Sequence, residues 1–398
     1  MTTVGRLLAP SSFDAFGRER VSSPRNIFDH KQVFDNGVPL FFVEDAVGAG
    51  AIFTYDQINA RTILTCGTTA AGRATRQTKR YFNYQSGKSM LYAITFNLHG
   101  AEANCEKRVG IFDNTNGVYL ALPATNIPAF FVRSSSGAGT VSAVQGAWNI
   151  DNFDGTGPSG VTMDLNKGQI LAIDFQWLAM GVVRCGFWSG NILYYAHEFY
   201  TANVGTFVYT SSPNYPIRWE IVGTGVNPAS PTLDAICCSV TSEGGQEAVG
   251  IQRAFARTTG AVIGAGVTTA LLSIRLKAGY ERATIFPTGF FAAATTATAR
   301  GSIELVLNPT LAGATFALPQ ANSAIEVDIA ATTAVGGHVI AAGSIGQDAG
   351  SVQLAFADEP AATLASSFTG AVRDHLTLRL TSIALDTWIA SINWRELL

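Results

Sequence analysis

The chain has 398 residues, a formal net charge of -3 from 26 basic and 29 acidic side chains, and only 14% charged residues. Soluble proteins carry about 25%, so Ser, Thr, Asn, Gly and Ala must make most of the surface, which suits burial against copies or partners better than isolation. The balance argues against a global field for nucleic acid or anionic lipid, and no run reaches the roughly 18 consecutive apolar residues of a spanning helix.

Residues 1–50 are expected to form an extended arm. The opening MTTVGRLLAPSSFDAF lacks the apolar core of a signal peptide. Phe13, Phe16, Phe28 and Phe34 then alternate with Arg18, Arg20, Arg25 and Lys31 without a period of 3.6 or 2. Pro10, Pro24 and Pro39 impose extended or turned backbone on their neighbours. Rings with no periodicity cannot bury one another, so Phe13, Phe16, Arg18, Arg20, Phe28 and Phe34 are candidate partner contacts. The competing reading is a floppy terminus.

From 51 to 250 the pattern predicts a β-sandwich or jelly-roll domain. Strand-length runs occur at 78–85, 89–98, 107–113, 117–122, 170–178, 181–188 and 191–199. Asn114–Gly117 and Ser189–Asn191 supply residues tolerant of positive φ between runs, as hairpins require. The stretch 134–168, with SSSGAGT and NFDGTGPSG, reads as an insertion between strands.

After Gly250 the chain becomes rich in Ala, Thr and Gly, yet runs continue at 269–277, 302–308, 324–330, 338–343, 351–356, 375–384 and 387–397. Leu376, Leu378 and Leu380 alternate with Thr377, Arg379 and Thr381 as a half-buried strand does. A second β-sandwich domain over 251–398 is expected. The fold class is therefore all-β: two β-sandwich or jelly-roll-like domains preceded by an extended N-terminal arm.

Cys66, Cys105, Cys185, Cys237 and Cys238 are odd in number and irregularly spaced, with no CxxC, so buried thiols in a reducing compartment are expected. Templates for catalysis fail in turn. Gly87-Lys88-Ser89 lacks the earlier glycine of a phosphate loop, since Phe82 stands there. No GxSxG or HExxH occurs. Asp151 and Asp154 fit turn-making, Asp174 fits pairing with Arg184 on the next strand, and Phe153 breaks a calcium-loop pattern. His99 with Cys105 is too sparse for a metal site. No enzyme activity, cofactor or metal is expected.

Six basic residues and no acid lie between Arg61 and Lys88. Arg73, Arg76, Lys79 and Arg80 are candidate contacts to an acidic partner surface, against the blander reading of a solvated loop; nucleic acid ranks third.

Several strings taken together, FDAFGRERVSSP, TRQTKRYFNYQSGKS, FDGTGPSGVTMDLNKGQILAIDFQWLAMGVVRCGFW and CSVTSEGGQE, resemble a family of virion structural proteins of tailed bacteriophages of the marine and cyanobacterial type. SIRLKAGYERATIFPTGF and LVLNPTLAGATF carry a weaker likeness. The resemblance implies a non-catalytic particle component and assigns no catalytic or binding residue. The expected partners are copies of the chain, as a homotrimer or other cyclic oligomer, and other virion proteins, with assembly in the bacterial cytoplasm. Tail, baseplate or fibre-base placement is favoured over head decoration or a head fibre. The alternative is a host-attachment adhesin holding a surface glycan with loop aromatics such as Trp148, Phe153 or Tyr215.

Overall fold

The computed structural model describes residues 15–16, 23–245, 250–296, 299–346, 351–355, 364–368 and 370–397. These fall into two compact units, one within Met1–Thr78 and Phe82–Glu247, the other within Lys79–Tyr81 and Ala248–Leu398. Both are all-β, and among the described residues the only helical turn is a short 3-10 stretch at Gln145–Ala147.

The first unit begins with β1 (Arg25–Lys31), β2 (Phe42–Val47), β3 (Ile52–Asp56), β4 (Arg61–Thr65) and β5 (Arg73–Thr78). It continues with β6 (Ser89–Asn97), β7 (Cys105–Phe112), β8 (Gly117–Leu122), β9 (Ala129–Arg133) and β10 (Val141–Val144). It closes with β11 (Gly168–Phe175), β12 (Val182–Ser189), β13 (Ile192–Tyr200), β14 (Ile217–Gly223) and β15 (Thr232–Glu243). An eight-stranded sheet runs β13-β12-β11-β6-β15-β4-β3 with β1 also on β15, and a seven-stranded sheet runs β10-β9-β8-β7-β14-β5-β2. One apolar core joins their facing sides: Phe130 of β9 lies 5.9 Å from Phe187 of β12, with Trp148 4.7 Å from Phe130.

The hairpins β7–β8 and β12–β13 turn where the sequence places them. Asp113 Oδ1 accepts from the Thr115 and Asn116 amides at 2.7 and 2.8 Å, and Gly117 follows with φ +135, beside Phe112 where a Cβ would collide. The strand expected over 78–85 is not formed. The strand is the polar RATRQT before it, because cross-strand partners satisfy its side chains, while Phe82 and Tyr84 drop into the core from irregular backbone.

Within the expected arm, β1 pairs β15 and β2 pairs β5, so residues 25–31 and 42–47 are sheet strands. Ile27 is the buried residue that seats β1. β1 and β4 lie end to end along one side of β15, and Gln32 closes the joint: its amide donates to the Ala235 and Ile236 carbonyls at 2.8 Å, and it accepts from Thr62. A buried amide here satisfies carbonyls where the ladder passes from one strand to the next.

The second unit contains β16 (Ile251–Ile263), β17 (Thr268–Leu276), β18 (Thr284–Ala294), β19 (Gly301–Leu307), β20 (Thr310–Ala312) and β21 (Ile325–Asp328). β22 (Thr333–Val335), β23 (His338–Ile345), β24 (Ser351–Ala355), β25 (His375–Ser382) and β26 (Asp386–Leu397) complete it. Sheets of order β16-β26-β18-β24 and β21-β17-β25-β19-β23 contribute to one core of Leu, Ile and Ala with Phe290, Trp388 and Trp394. Glu396 is fully buried yet saturated, accepting from Trp394 Nε1 at 2.8 Å, Ser323 Oγ at 2.7 Å and Arg253 Nε at 2.8 Å.

Candidate binding surfaces of the first unit

Four cations of the basic stretch, Arg61, Arg73, Arg76 and Lys79, are paired with acids of the chain itself. Arg73 pairs with Asp45 at 2.5 Å; Arg76, fully buried, pairs with Glu44, donates to the Asn36 carbonyl and lies 4.1 Å over the Phe42 ring. Arg61 reaches Asp56 at 3.1 Å and Asp234 at 2.6 Å. In the second unit Lys79 meets Asp374 at 2.6 Å and Arg80 lies 5.4 Å from the Phe286 ring. Of the expected contacts Arg73, Arg76, Lys79 and Arg80, the first three are thus engaged with acids of the chain itself, and Arg80 lies against a ring. The acids come from β2, some thirty positions upstream, and from downstream strands, where a search for acids between 61 and 88 does not reach.

Of the expected arm contacts, Phe13, Arg18 and Arg20 lie outside the described residues. Phe16 sits half-buried in a turn beside buried Ala15, whose amide donates to Ser89 Oγ at 3.3 Å. Phe28 packs inward, 5.2 Å from Phe82 and 6.4 Å from Phe42. Phe34 projects, 87% exposed, and Val33, Leu40 and Phe41 of the same segment are part-exposed. The loop that carries them is fastened: Gly37 N donates to Asp35 Oδ1 at 2.8 Å, Val38 N to Asn36 Oδ1 at 3.1 Å, and Phe41 N to the Gly37 carbonyl at 2.8 Å. His30 stands between this loop and the core, 4.7 Å from Phe42; burial and neighbouring Arg76 lower its pKa to about 4.

The aromatics expected to hold a glycan are core residues. Trp148, Phe153 and Tyr215 are buried, and Trp148 Nε1 is spent on the Ala143 carbonyl at 3.0 Å. Around them the carboxylates serve the fold. Asp151 accepts from the Phe153 and Ser159 amides at 2.8 and 2.6 Å. Asp174 pairs with Arg184 on the adjacent strand, as its position predicts, and also accepts from Tyr195 at 2.7 Å and Ser89 at 2.8 Å. His99 lies 2.9 Å from Asp234.

The side of the seven-stranded sheet turned away from the core holds an ordered, mostly buried array that sequence reading missed. One cross-strand row runs Asp45, Thr75, Glu220, Arg108, Ala121; the next runs Gln77, Arg218, Gly110, Tyr119, Phe131. Glu220 accepts from Arg108 at 2.8 Å and Thr75 at 3.1 Å. Burial pushes its carboxyl up, but Arg218 and Arg108 outweigh that and hold it below the usual range. It is therefore an ionised acceptor and a poor proton donor.

At the far end of these rows Tyr119 and Phe131 stack at 5.1 Å with planes 6° apart. Arg133 lies 4.9 Å over Tyr119 and 5.4 Å over Phe112, donating to the Asp113 carbonyl at 2.7 Å and Tyr119 Oη at 3.3 Å. Buried Asn116 staples the adjoining loops, donating to Ser135 Oγ at 3.1 Å and Ser211 Oγ at 3.0 Å. Ser136 Oγ donates to the Val208 carbonyl at 2.5 Å, and Phe207, 55% exposed, lies against Gly137, where a Cβ would come within 2.9 Å of its ring. The signal was present in SSSGAGT, but only the fold shows that Ser135 meets Asn116 and Ser211 and that Gly137 lies against the Phe207 ring.

No family model matches the chain, and no curated protein matches it. Among solved structures it is similar to the Emp47p carbohydrate recognition domain, at 11% identity over 55% of this chain and 97% of that one, TM-score 0.36. It is similar to a Bacteroides ovatus GH16 protein of a mixed linkage glucan locus, at 10% identity over 54% and 99%, TM-score 0.34. The CBM2 module of the evolved Dit of Lactobacillus casei BL23 phage J-1 matches at 11% identity over 55% and 96%, TM-score 0.35.

Proposed function

We propose that the chain is a non-catalytic structural component of a tailed-phage particle, an oligomeric β-sandwich protein that docks through its N-terminal region. The observation that carries this is the fastened loop 33–41, which holds Phe34 out in solvent while Phe41 is part-exposed against Phe28 and His30. An exposed ring on a hydrogen-bonded loop is what a partner buries at little ordering cost. The low charge and the resemblance of its motifs to virion proteins support the same reading. Replacing Phe34 and Phe41 together by Ser tests it: the variant should fold but fail to enter particles, and incorporation at the parental level would refute docking through this loop. The removal of residues 1–40 is a poorer test, because it strips β1 and Gln32 from β15.

A second reading, a glycan-binding adhesin for host attachment, is favoured by the loop cluster around Arg133 and Phe207. An exposed ring beside several hydroxyls and a half-buried arginine provides both an apolar platform and directed hydrogen bonds. A glycan array probed with the intact chain tests this reading.

A further inference from the structure

We propose that the end of the seven-stranded sheet recognises a carboxylate-bearing glycan, with Arg133 gripping the carboxylate and Phe207 supporting a sugar ring; this rests on the glycan-binding reading above. The cation is the informative group. Among the described residues no carboxylate is within ion-pair range of Arg133, whereas Arg73, Arg76, Arg108, Arg184 and Arg218 each have one. Asp113 Oδ1 accepts from the Thr115 and Asn116 amides, and its carbonyl accepts from Arg133.

A guanidinium carries five N–H donors in a planar fork. Two hydrogen bonds, to the Asp113 carbonyl and Tyr119 Oη, leave donors over, and the Phe112 and Tyr119 rings fix the plane. Such a pre-oriented fork matches a carboxylate better than a lysine would.

The loop that follows Arg133 brings the rest of the recognition surface. Ser135 and Ser211 are exposed and share Asn116, so their hydroxyls are held in place. Phe207 presents its ring beside the same loop through Gly137 and the Ser136–Val208 hydrogen bond. A pyranose has one face of C–H groups, which suits the negative face of an aromatic ring, and a rim of hydroxyls, which suits serines. A uronic or sialic acid adds a negative carboxylate to pair with the Arg133 guanidinium.

The test is a glycan array bearing matched acidic and neutral oligosaccharides, probed with the intact chain and with Arg133→Gln, Arg133→Lys and Phe207→Ala, each checked for unchanged thermal unfolding. Acidic glycans should bind at least roughly tenfold tighter than their neutral matches, an advantage Arg133→Gln abolishes and Arg133→Lys only partly keeps. Phe207→Ala should weaken both classes. Equal binding of acidic and neutral sugars would overturn the carboxylate inference and leave the adhesin reading standing. Silence of the intact chain across the array would overturn both.

Discussion

In the first unit rings meet rings through the core, as in Phe130 with Trp148, Phe175 with Tyr215 and Phe42 with Trp219. In the second, Phe290, Trp388 and Trp394 are set among leucines, isoleucines and alanines. The first buries long basic side chains, Arg76, Arg218 and Lys107, whereas the second buries the carboxylate of Glu396. Large rings leave gaps that long arginine stems can fill, and their faces attract the guanidinium. Small aliphatic side chains between sheets need no such filler. The first unit therefore has more specific contacts to lose, and it is also the one that presents the two exposed features described above.

The largest expected effect on this comparison comes from the cores. Trp148→Ala should cost the first unit about 3–5 kcal/mol, and Leu378→Ala should cost the second about 2–5 kcal/mol. Urea denaturation followed by a probe in each unit checks both; a Trp148→Ala protein as stable as its parent would mean that the ring is not core. Next is the buried charge. Arg76→Leu leaves Glu44 without its partner and should cost about 3 kcal/mol, much of it recovered when Glu44→Gln is added. An additive double variant would show that the two side chains are not coupled.

A smaller effect concerns pH. His30 and His197 have folded pKa values lowered to about 4, in the first case by burial and then Arg76, in the second by burial. His197 Nδ1 accepts the Asn149 amide at 3.2 Å, which only a neutral ring can do. The unfolded chain binds these protons near pH 6.5 and the folded one does not. Their stabilisation is present above that value and is lost as pH falls towards 4. The thermal midpoint of the first unit should drop from pH 7 to pH 5, and His197→Asn should flatten that slope; an unchanged slope would remove His197 from the account. The smallest effect on stability belongs to Phe34→Ser, which should stay within about 0.5 kcal/mol because the ring is in solvent.

Much of the fold was legible. The runs at 89–98, 117–122, 191–199 and 387–397 became strands because period and β-propensity agreed, and Asp174 found Arg184 because adjacent strands of a hairpin fix the register. Polar strands such as RATRQT were hidden, since their burial depends on Glu44, Asp45 and Glu220 arriving from other strands. The same non-local pairing turned a basic run into sheet interior and turned Trp148, Phe153 and Tyr215 into core. The loop cluster at Arg133 was illegible for a related reason: Asn116, Ser135, Phe207 and Ser211 are brought together by the ends of separate strands.

The central claim is docking through the loop around Phe34, and cryo-electron microscopy of the intact particle tests it most directly. Density for this chain is expected with residues 33–41 covered by a neighbouring chain and the Arg133–Phe207 end facing outward. A particle in which Phe34 and Phe41 face solvent, or one that lacks the chain altogether, would contradict it.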